Sequence, residues 1–293
     1  MKLFVTDLDG TLLNSDHKGT AYSMNALKMA MEKGVKVCIA SGRAYADIIS
    51  LIGEYNISPY IISSNGASVY DDKGKKLYSV SIPADEVRNV LTYLQAQNLE
   101  YEASTDEYTY VTQEGIDILK QELEDLGTDT EKREQLYNDV LGLVLSQGSL
   151  KVVPTLEDLL REVKEANSIS CISAYLNKIR SSMDHFSMNK NLLTFSSWKY
   201  NFEVTSSRTS KGVALTMLCD HLGIDLKDVA AIGDNYNDTS MIKIVGIKGA
   251  MSNAVDQLLK IADYVAPSND EDGVAKFLYD QIVRMEYPDK IIE

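Results

Sequence analysis

Two aspartates, Asp7 and Asp9, stand two positions apart where the apolar run Leu3-Phe4-Val5 gives way to Gly10-Thr11. An apolar run of this kind reads as a buried strand of a parallel sheet, and in open α/β sheets ligands bind beyond the carboxyl ends of the strands. Two carboxylates this close repel unless something positive lies between them. A hard divalent cation meets that need, and magnesium takes oxygen ligands from one or two carboxylates together with substrate phosphate. Asp-x-Asp-Gly also opens calcium loops. Such a loop requires further oxygen ligands, whereas Leu12-Leu13 fill its middle here. The pair therefore points to acid chemistry on a phosphate.

Three further clusters share this placement. Ser41-Gly42-Arg43 follows the apolar segment Val35 to Ala40, and Gly233-Asp234-Asn235-Tyr236-Asn237-Asp238 follows Val229 to Ile232. Ser210-Lys211-Gly212 opens a helix, where free N–H groups and the helix dipole favour anions. Parallel strands set their ends on one rim. The clusters then supply a nucleophile, hydroxyl and amide donors, a cation and further carboxylates, the parts needed for phosphoryl transfer. Singly, each has a plainer use: Ser41 as a helix N-cap, Lys211 as a solvated first-turn residue, Asn237-Asp238 as another cap. Capping does not explain why they follow successive strands.

The elements that must position these residues are read from periodicity. Met24, Leu27 and Ala30-Met31 give a helix over Thr20 to Lys33, stopped by Gly34, and Tyr45 to Gly53 gives the next. Tyr60 to Ser63 is a strand, and a hairpin joins Ala67–Tyr70 to Lys75–Val80. The character changes near Pro83. Helices are expected over Asp85–Gln97, Gln113–Leu126 and Leu156–Ala166, and strands over Leu99–Ala103, Tyr108–Thr112, Ser168–Tyr175 and Leu192–Phe195. Thr128 to Val153 stays unassigned, because Val140–Leu145 fits a strand or a helix equally. Strand pattern returns at Asn201–Val204, and Lys211–Leu222 is helical. The expected fold is α/β: a doubly wound, parallel-sheet, Rossmann-like core of residues 1–82 and 198–293, with an inserted α+β cap domain at 83–197.

The 293 residues carry a formal charge of −14, which argues against nucleic acid or an anionic membrane as partner. An anionic small substrate then needs local positive charge. Cys38, Cys171 and Cys219 sit in apolar surroundings and read as reduced, buried thiols. With only His17, His185 and His221, histidine-centred chemistry has little material. No signal-peptide pattern or membrane span stands out, so the expected location is cytoplasmic. The oligomeric state is left open.

The four clusters, taken in chain order with Lys211-Gly212 third and Gly233 to Asp238 fourth, resemble the motifs of the haloacid dehalogenase-like phosphohydrolases. Ser64-Asn65-Gly66-Ala67, Ala250-Met251-Ser252-Asn253-Ala254, Ala262-Asp263-Tyr264-Val265 and Asn269-Asp270-Glu271-Asp272-Gly273-Val274 are similar to the Cof-type sugar phosphatases. The resemblance implies Asp7 as nucleophile and Asp9 as the acid and base that serves the leaving group and the water. It implies Mg2+ held by Asp7, by Asp9 through its main-chain carbonyl, and by Asp234. Ser41, Gly42, Lys211 and Asn237 would hold phosphate, Asp238 would orient Lys211 or a metal-bound water, and Arg43 would meet the leaving group or simply pair with surface carboxylates. Asn65 either faces the site or, more simply, makes the turn that Asn-Gly favours, and the signatures around Asn253 and Asn269 read as caps that stabilise the core. Tyr101, Tyr108 and Tyr110 could line a sugar pocket in the cap, but at strand spacing they read more simply as core or sheet surface. Thr205 to Ser210 departs from the proline- and glycine-containing loop more usual there. The implied activity is magnesium-dependent hydrolysis of a small phosphorylated metabolite, most simply a sugar phosphate. A phosphomutase using the same covalent intermediate and a non-catalytic binding module are the alternatives.

Overall fold

The computed structural model describes residues 1–125, 149–196 and 199–286. The chain forms two compact units, one of Met1–Arg43, Ile48–Ser79 and Thr209 onward, the other of Ala44–Asp47 and Val80–Arg208.

The chain begins with β1 (Leu3–Thr6), α1 (Ala21–Glu32), β2 (Lys36–Ala40), α2 (Tyr45–Ile52), β3 (Tyr60–Ser63), β4 (Ser68–Tyr70) and β5 (Lys76–Ser79), all in the first unit except the start of α2, up to Asp47. The inserted unit carries α3 (Ala84–Ala96), β6 (Glu100–Ser104), β7 (Thr109–Thr112), α4 (Gln113–Asp125), β8 (Leu150–Val153) and α5 (Leu156–Glu162). It continues with β9 (Ser168–Ile172), α6 (Leu176–Ser187), β10 (Leu192–Phe195) and β11 (Asn201–Ser206). The first unit resumes with α7 (Lys211–Leu222), β12 (Val229–Gly233), α8 (Thr239–Ile242), β13 (Ile247–Met251), α9 (Asp256–Leu259), β14 (Tyr264–Ala266) and α10 (Gly273–Glu286).

The first unit's eight-stranded sheet runs β14-β13-β12-β1-β2-β3-β4-β5, parallel from β14 to β3 and antiparallel through the closing hairpin. Every residue of β1 is buried, as a strand covered on both faces requires. Strand β1 pairs with β12 on one side and β2 on the other, so the chain crosses in opposite directions from its centre. A crevice at the carboxyl ends follows from that reversal. Thr20 caps α1 by accepting from the Ser23 N–H, and Ser210 caps α7 by accepting from Val213.

The inserted unit is a six-stranded sheet, β10-β11-β9-β6-β7-β8, with only β7 and β8 parallel. Its apolar cluster includes Val87, Leu91, Tyr101, Tyr110, Ile169, Phe186 and Phe202. Tyr108 lies outside that cluster, 43% exposed and edge-on to Tyr110.

The domain boundary lies later than the sequence indicates. Residues 199–208 belong with the inserted unit, because β11 pairs antiparallel with both β9 and β10. Helix α5 stops at Glu162, since Val163 turns extended and Ala166 bridges to Ile82. Strand β9 ends at Ile172, and α6 follows without having been expected. Strand β8 falls in the unassigned stretch, while Leu126 and Val140–Leu145 lie outside the described residues. Cys38, Cys171 and Cys219 are buried free thiols.

Candidate active site

The rim of the first unit gathers the chemistry. Asp7 leaves β1 with its N–H still bonded to the Ile232 carbonyl of β12 at 3.0 Å, and Ser41 leaves β2 bonded to Ile62 of β3 at 2.8 Å. The sheet ladder thus fixes both residues beyond their strands. At Gly10 the chain turns with φ +72°, and a Cβ there would stand 2.6 Å from Asp234 Oδ2. Only glycine combines that conformation with so close a carboxylate. Thr11, which the sequence reading did not single out, donates its hydroxyl to Asp234 Oδ1 at 2.9 Å.

Lys211 is the first residue of α7 and is 1% exposed. Its Nζ donates to Asp7 Oδ1 at 2.7 Å and to Asp238 Oδ1 at 2.6 Å. Asp238 is fully buried, and its Oδ2 accepts from the N–H groups of Asp234 and Asn235, both at 3.0 Å. Both Asp238 oxygens are therefore engaged in holding the ammonium and the turn after β12.

Burial pushes the Asp7 carboxyl well above its ordinary range, Asp238 and Asp234 push it further, and Lys211 opposes them in part. Burial and Asp238 likewise raise Asp234 to about 6. Burial alone would lower the Lys211 ammonium, but Asp238 and Asp7 overcome it and lift the group above its ordinary value. Oxygens of Asp7, Asp234 and Asp238 lie within 4.8 Å of one another, with a single ammonium among them. That excess of negative charge, carried on hard oxygen donors, fits a divalent cation. With Asp238 engaged, Asp7 and Asp234 are the carboxylates suited to hold it.

Asp9 faces elsewhere. Arg43 grips it in a bidentate pair, Nε to Oδ2 and a terminal nitrogen to Oδ1, both at 2.7 Å. His17 Nδ1 is 3.6 Å from Oδ1. Burial would raise the Asp9 carboxyl, but His17 and Arg43 outweigh it and hold the group well below the usual carboxylate range. Asp9 is thus an ionised partner of Arg43 here, outside the carboxylate cluster. The sequence passed over His17, whose left-handed backbone (φ 56°) leaves no mark on composition or spacing.

The remaining expected residues collect on the same rim. Ser41 is buried, and its hydroxyl accepts from the Arg43 N–H at 3.1 Å. Asn237 donates its side-chain amide to Asn65 Oδ1 at 2.9 Å. Asn65, expected as a turn residue, makes the turn and also brings its side chain against Gly42, with Nδ2 3.1 Å from where a Gly42 Cβ would lie.

The C-terminal signatures do more than cap helices. Asn253 donates to the Gly10 carbonyl at 2.8 Å and accepts from the Asn269 N–H at 3.2 Å. Asn269 in turn donates to the Leu13 carbonyl at 3.0 Å, and Ser15 donates its hydroxyl to Asp270 at 2.7 Å. Together they hold the loop that follows Asp9. Across the departing segment, Thr209 donates to the Gly66 carbonyl at 2.6 Å, and Arg208 is exposed.

Parallel strands that deliver an aspartate, a serine and an acidic turn to one rim, with a buried lysine among the acids, define a phosphohydrolase of α/β type. Comparison with known proteins agrees. A family profile described as haloacid dehalogenase-like hydrolase matches residues 4–278. The phosphatase YwpJ of Bacillus subtilis is 33% identical over 281 residues, covering 95% of this chain and 99% of the relative. The 5-amino-6-(5-phospho-D-ribitylamino)uracil phosphatase YwtE of the same organism is 33% identical over 290 residues, covering 98% and 100%. A solved haloacid dehalogenase-like hydrolase from B. subtilis superposes with a TM-score of 0.83 at 32% identity, covering 95% of this chain and 99% of that one. The chain belongs to the haloacid dehalogenase-like hydrolases, in their Cof-type group, and is a phosphomonoester hydrolase.

Proposed function

We propose that the protein is a magnesium-dependent phosphatase of small phosphorylated metabolites, sugar and polyol phosphates above all, acting through an aspartyl-phosphate. The observation that carries this reading is Lys211 Nζ, buried between Asp7 and Asp238 with Asp234 beside them. An ammonium held there neutralises the nucleophile and, with substrate bound, the phosphoryl group.

Asp7 attacks phosphorus, and the bond from phosphorus to the ester oxygen breaks as that oxygen takes a proton from Asp9. Water then attacks phosphorus, Asp9 takes back the proton, and the Asp7–phosphorus bond breaks to release inorganic phosphate. Ser41, the Gly42 N–H and Asn237 hold phosphate oxygens, while Asp238 keeps Lys211 aimed at Asp7. The Asp7 and Asp234 side chains, with the Asp9 main-chain carbonyl, would hold Mg2+, which supplies charge stabilisation to the phosphoryl oxygens. To act as an acid, Asp9 must leave Arg43 and be protonated with substrate bound. Arg43 therefore governs when the proton donor is available.

Among the described residues no helix is long and apolar enough to cross a membrane. The buried reduced cysteines favour the cytoplasm. The test is inorganic phosphate release, with Mg2+, from a panel of sugar, polyol and nucleotide monophosphates that includes the ribityl phosphate cleaved by the Bacillus relative. Release from one or more esters, lost in Asp7→Asn, is expected. A panel with no release overturns the reading.

A further inference from the structure

The turn after β3 holds three consecutive residues in the left-handed region of backbone conformation beside the site. Ser64, Asn65 and Gly66 all have positive φ, at 47°, 56° and 102°, and all three are buried. Serine and asparagine take this conformation at a cost that glycine avoids, and the Ser64 hydroxyl has no hydrogen-bond partner among the described residues. Strain of this kind persists where surrounding structure over-determines it, and it collects at functional sites.

The surroundings here are three loops of the site. The Ser64 N–H donates to the Arg43 carbonyl at 2.9 Å, and the Asn65 N–H to the Ser41 carbonyl at 3.0 Å. The Gly66 carbonyl accepts from Thr209, and a Cβ on Gly66 would stand 2.3 Å from the carbonyl oxygen of Ser210, which caps the Lys211 helix. The Asn65 side chain spans the remaining gap, with Oδ1 accepting from Asn237 and Nδ2 set against Gly42. A plain connection into β4 would be served by glycine at position 65 with less strain. The asparagine side chain is what glycine would not supply.

We infer that Asn65 is a positioning residue, which fixes Asn237 relative to the Ser41–Gly42 loop so that both can hold the same phosphate. This rests on the phosphatase reading above. Asn65 acts through the groups it orients and transfers no proton.

Asn65→Gly isolates the side chain, because glycine accepts φ 56° and keeps the turn. Its melting temperature should match or exceed that of the wild type. On an ester that the wild type hydrolyses, kcat/KM should fall at least about tenfold, equivalent to about 1.4 kcal/mol, with KM and the inhibition constant of inorganic phosphate rising together. Asn65→Asp keeps the acceptor for Asn237 but sets a carboxylate beside the phosphate loop, and it should lose more. Combined with Asn237→Ala, Asn65→Gly should add little to the loss from Asn237→Ala alone, because both remove one unit.

Wild-type kcat/KM and phosphate affinity in Asn65→Gly overturn the inference and leave the phosphatase reading intact. So does a double variant whose losses multiply, since Asn65 then does not act through Asn237. A wild-type protein that releases phosphate from no ester overturns the reading beneath and this inference with it.

Discussion

Two cation–carboxylate pairs stand side by side on the rim, and they differ in water. Lys211 is sealed between Asp7 and Asp238, with side-chain exposures of 0%, 8% and 0%. Arg43 and Asp9 make an equally short pair at 26% and 38% exposure. The sealed pair cannot be opened without stranding charge in a dry site, so it serves as fixed architecture. The wetter pair can part at modest cost, because water takes up either partner. Rigidity falls on Asp7, the proposed nucleophile, which must be aimed, and looseness on Asp9, the proposed proton donor, which must change partner and protonation state.

Asp7→Asn attacks the fixed pair at its reactive end. It should lower kcat by a factor on the order of 10^4 or more, measured as phosphate release, with the fold retained by circular dichroism. Lys211→Ala removes the charge between two buried carboxylates. It should cost about 3–5 kcal/mol of stability by denaturant titration and abolish turnover; a stability equal to the wild type would erase the contrast drawn here.

Mg2+ should stabilise the protein in a pH-dependent way. The folded Asp234 carboxyl is raised to about 6, so without metal its favourable contribution is complete at low pH and is lost as pH rises through that value. Ionised acids then repel one another and bind metal best. The rise in melting temperature given by Mg2+ should therefore be larger at pH 8 than at pH 5, and EDTA should remove both it and the activity. An equal rise at both pH values would show that these carboxylates are not the ligands.

The smallest effect belongs to the wetter pair. The Asp9 carboxyl is depressed in the fold, so its contribution is present above the unfolded carboxylate value and is lost as pH falls below it. Arg43→Ala should cost about 1 kcal/mol or less at neutral pH, with the difference from wild type shrinking in acid. It should also shift the acid limb of the kcat profile. A stability loss as large as that of Lys211→Ala would make the two pairs alike.

Much of the rim was legible because β1, β2, β3 and β12 are short apolar runs that end in Asp, Ser or Gly, and a parallel sheet turns those ends toward one edge. The sequence left Arg43 between the leaving group and surface carboxylates, and its pairing with Asp9 was not among those readings. Asn253 was misread as a cap because its partner, the Gly10 carbonyl, lies 243 positions away and leaves no local pattern. In the inserted unit, periodicity ran past two real ends. Helix α5 stops within the helix-forming run Val163-Lys164-Glu165-Ala166, because Ala166 is drawn into a bridge with Ile82. Strand β11 was placed in the wrong unit because pairing partners, unlike strand pattern, are not written in the strand itself.

The asparagine clasp on the loop after Asp9 also sets an order in time. Synthesis puts Gly10 and Leu13 far ahead of Asn253 and Asn269, which hold their carbonyls. A chain still emerging from the ribosome thus carries Asp7 and Asp9 for most of its making, with the loop that follows them unfastened. The loop after Asp9 is therefore fastened only after Asn253 and Asn269 have been made.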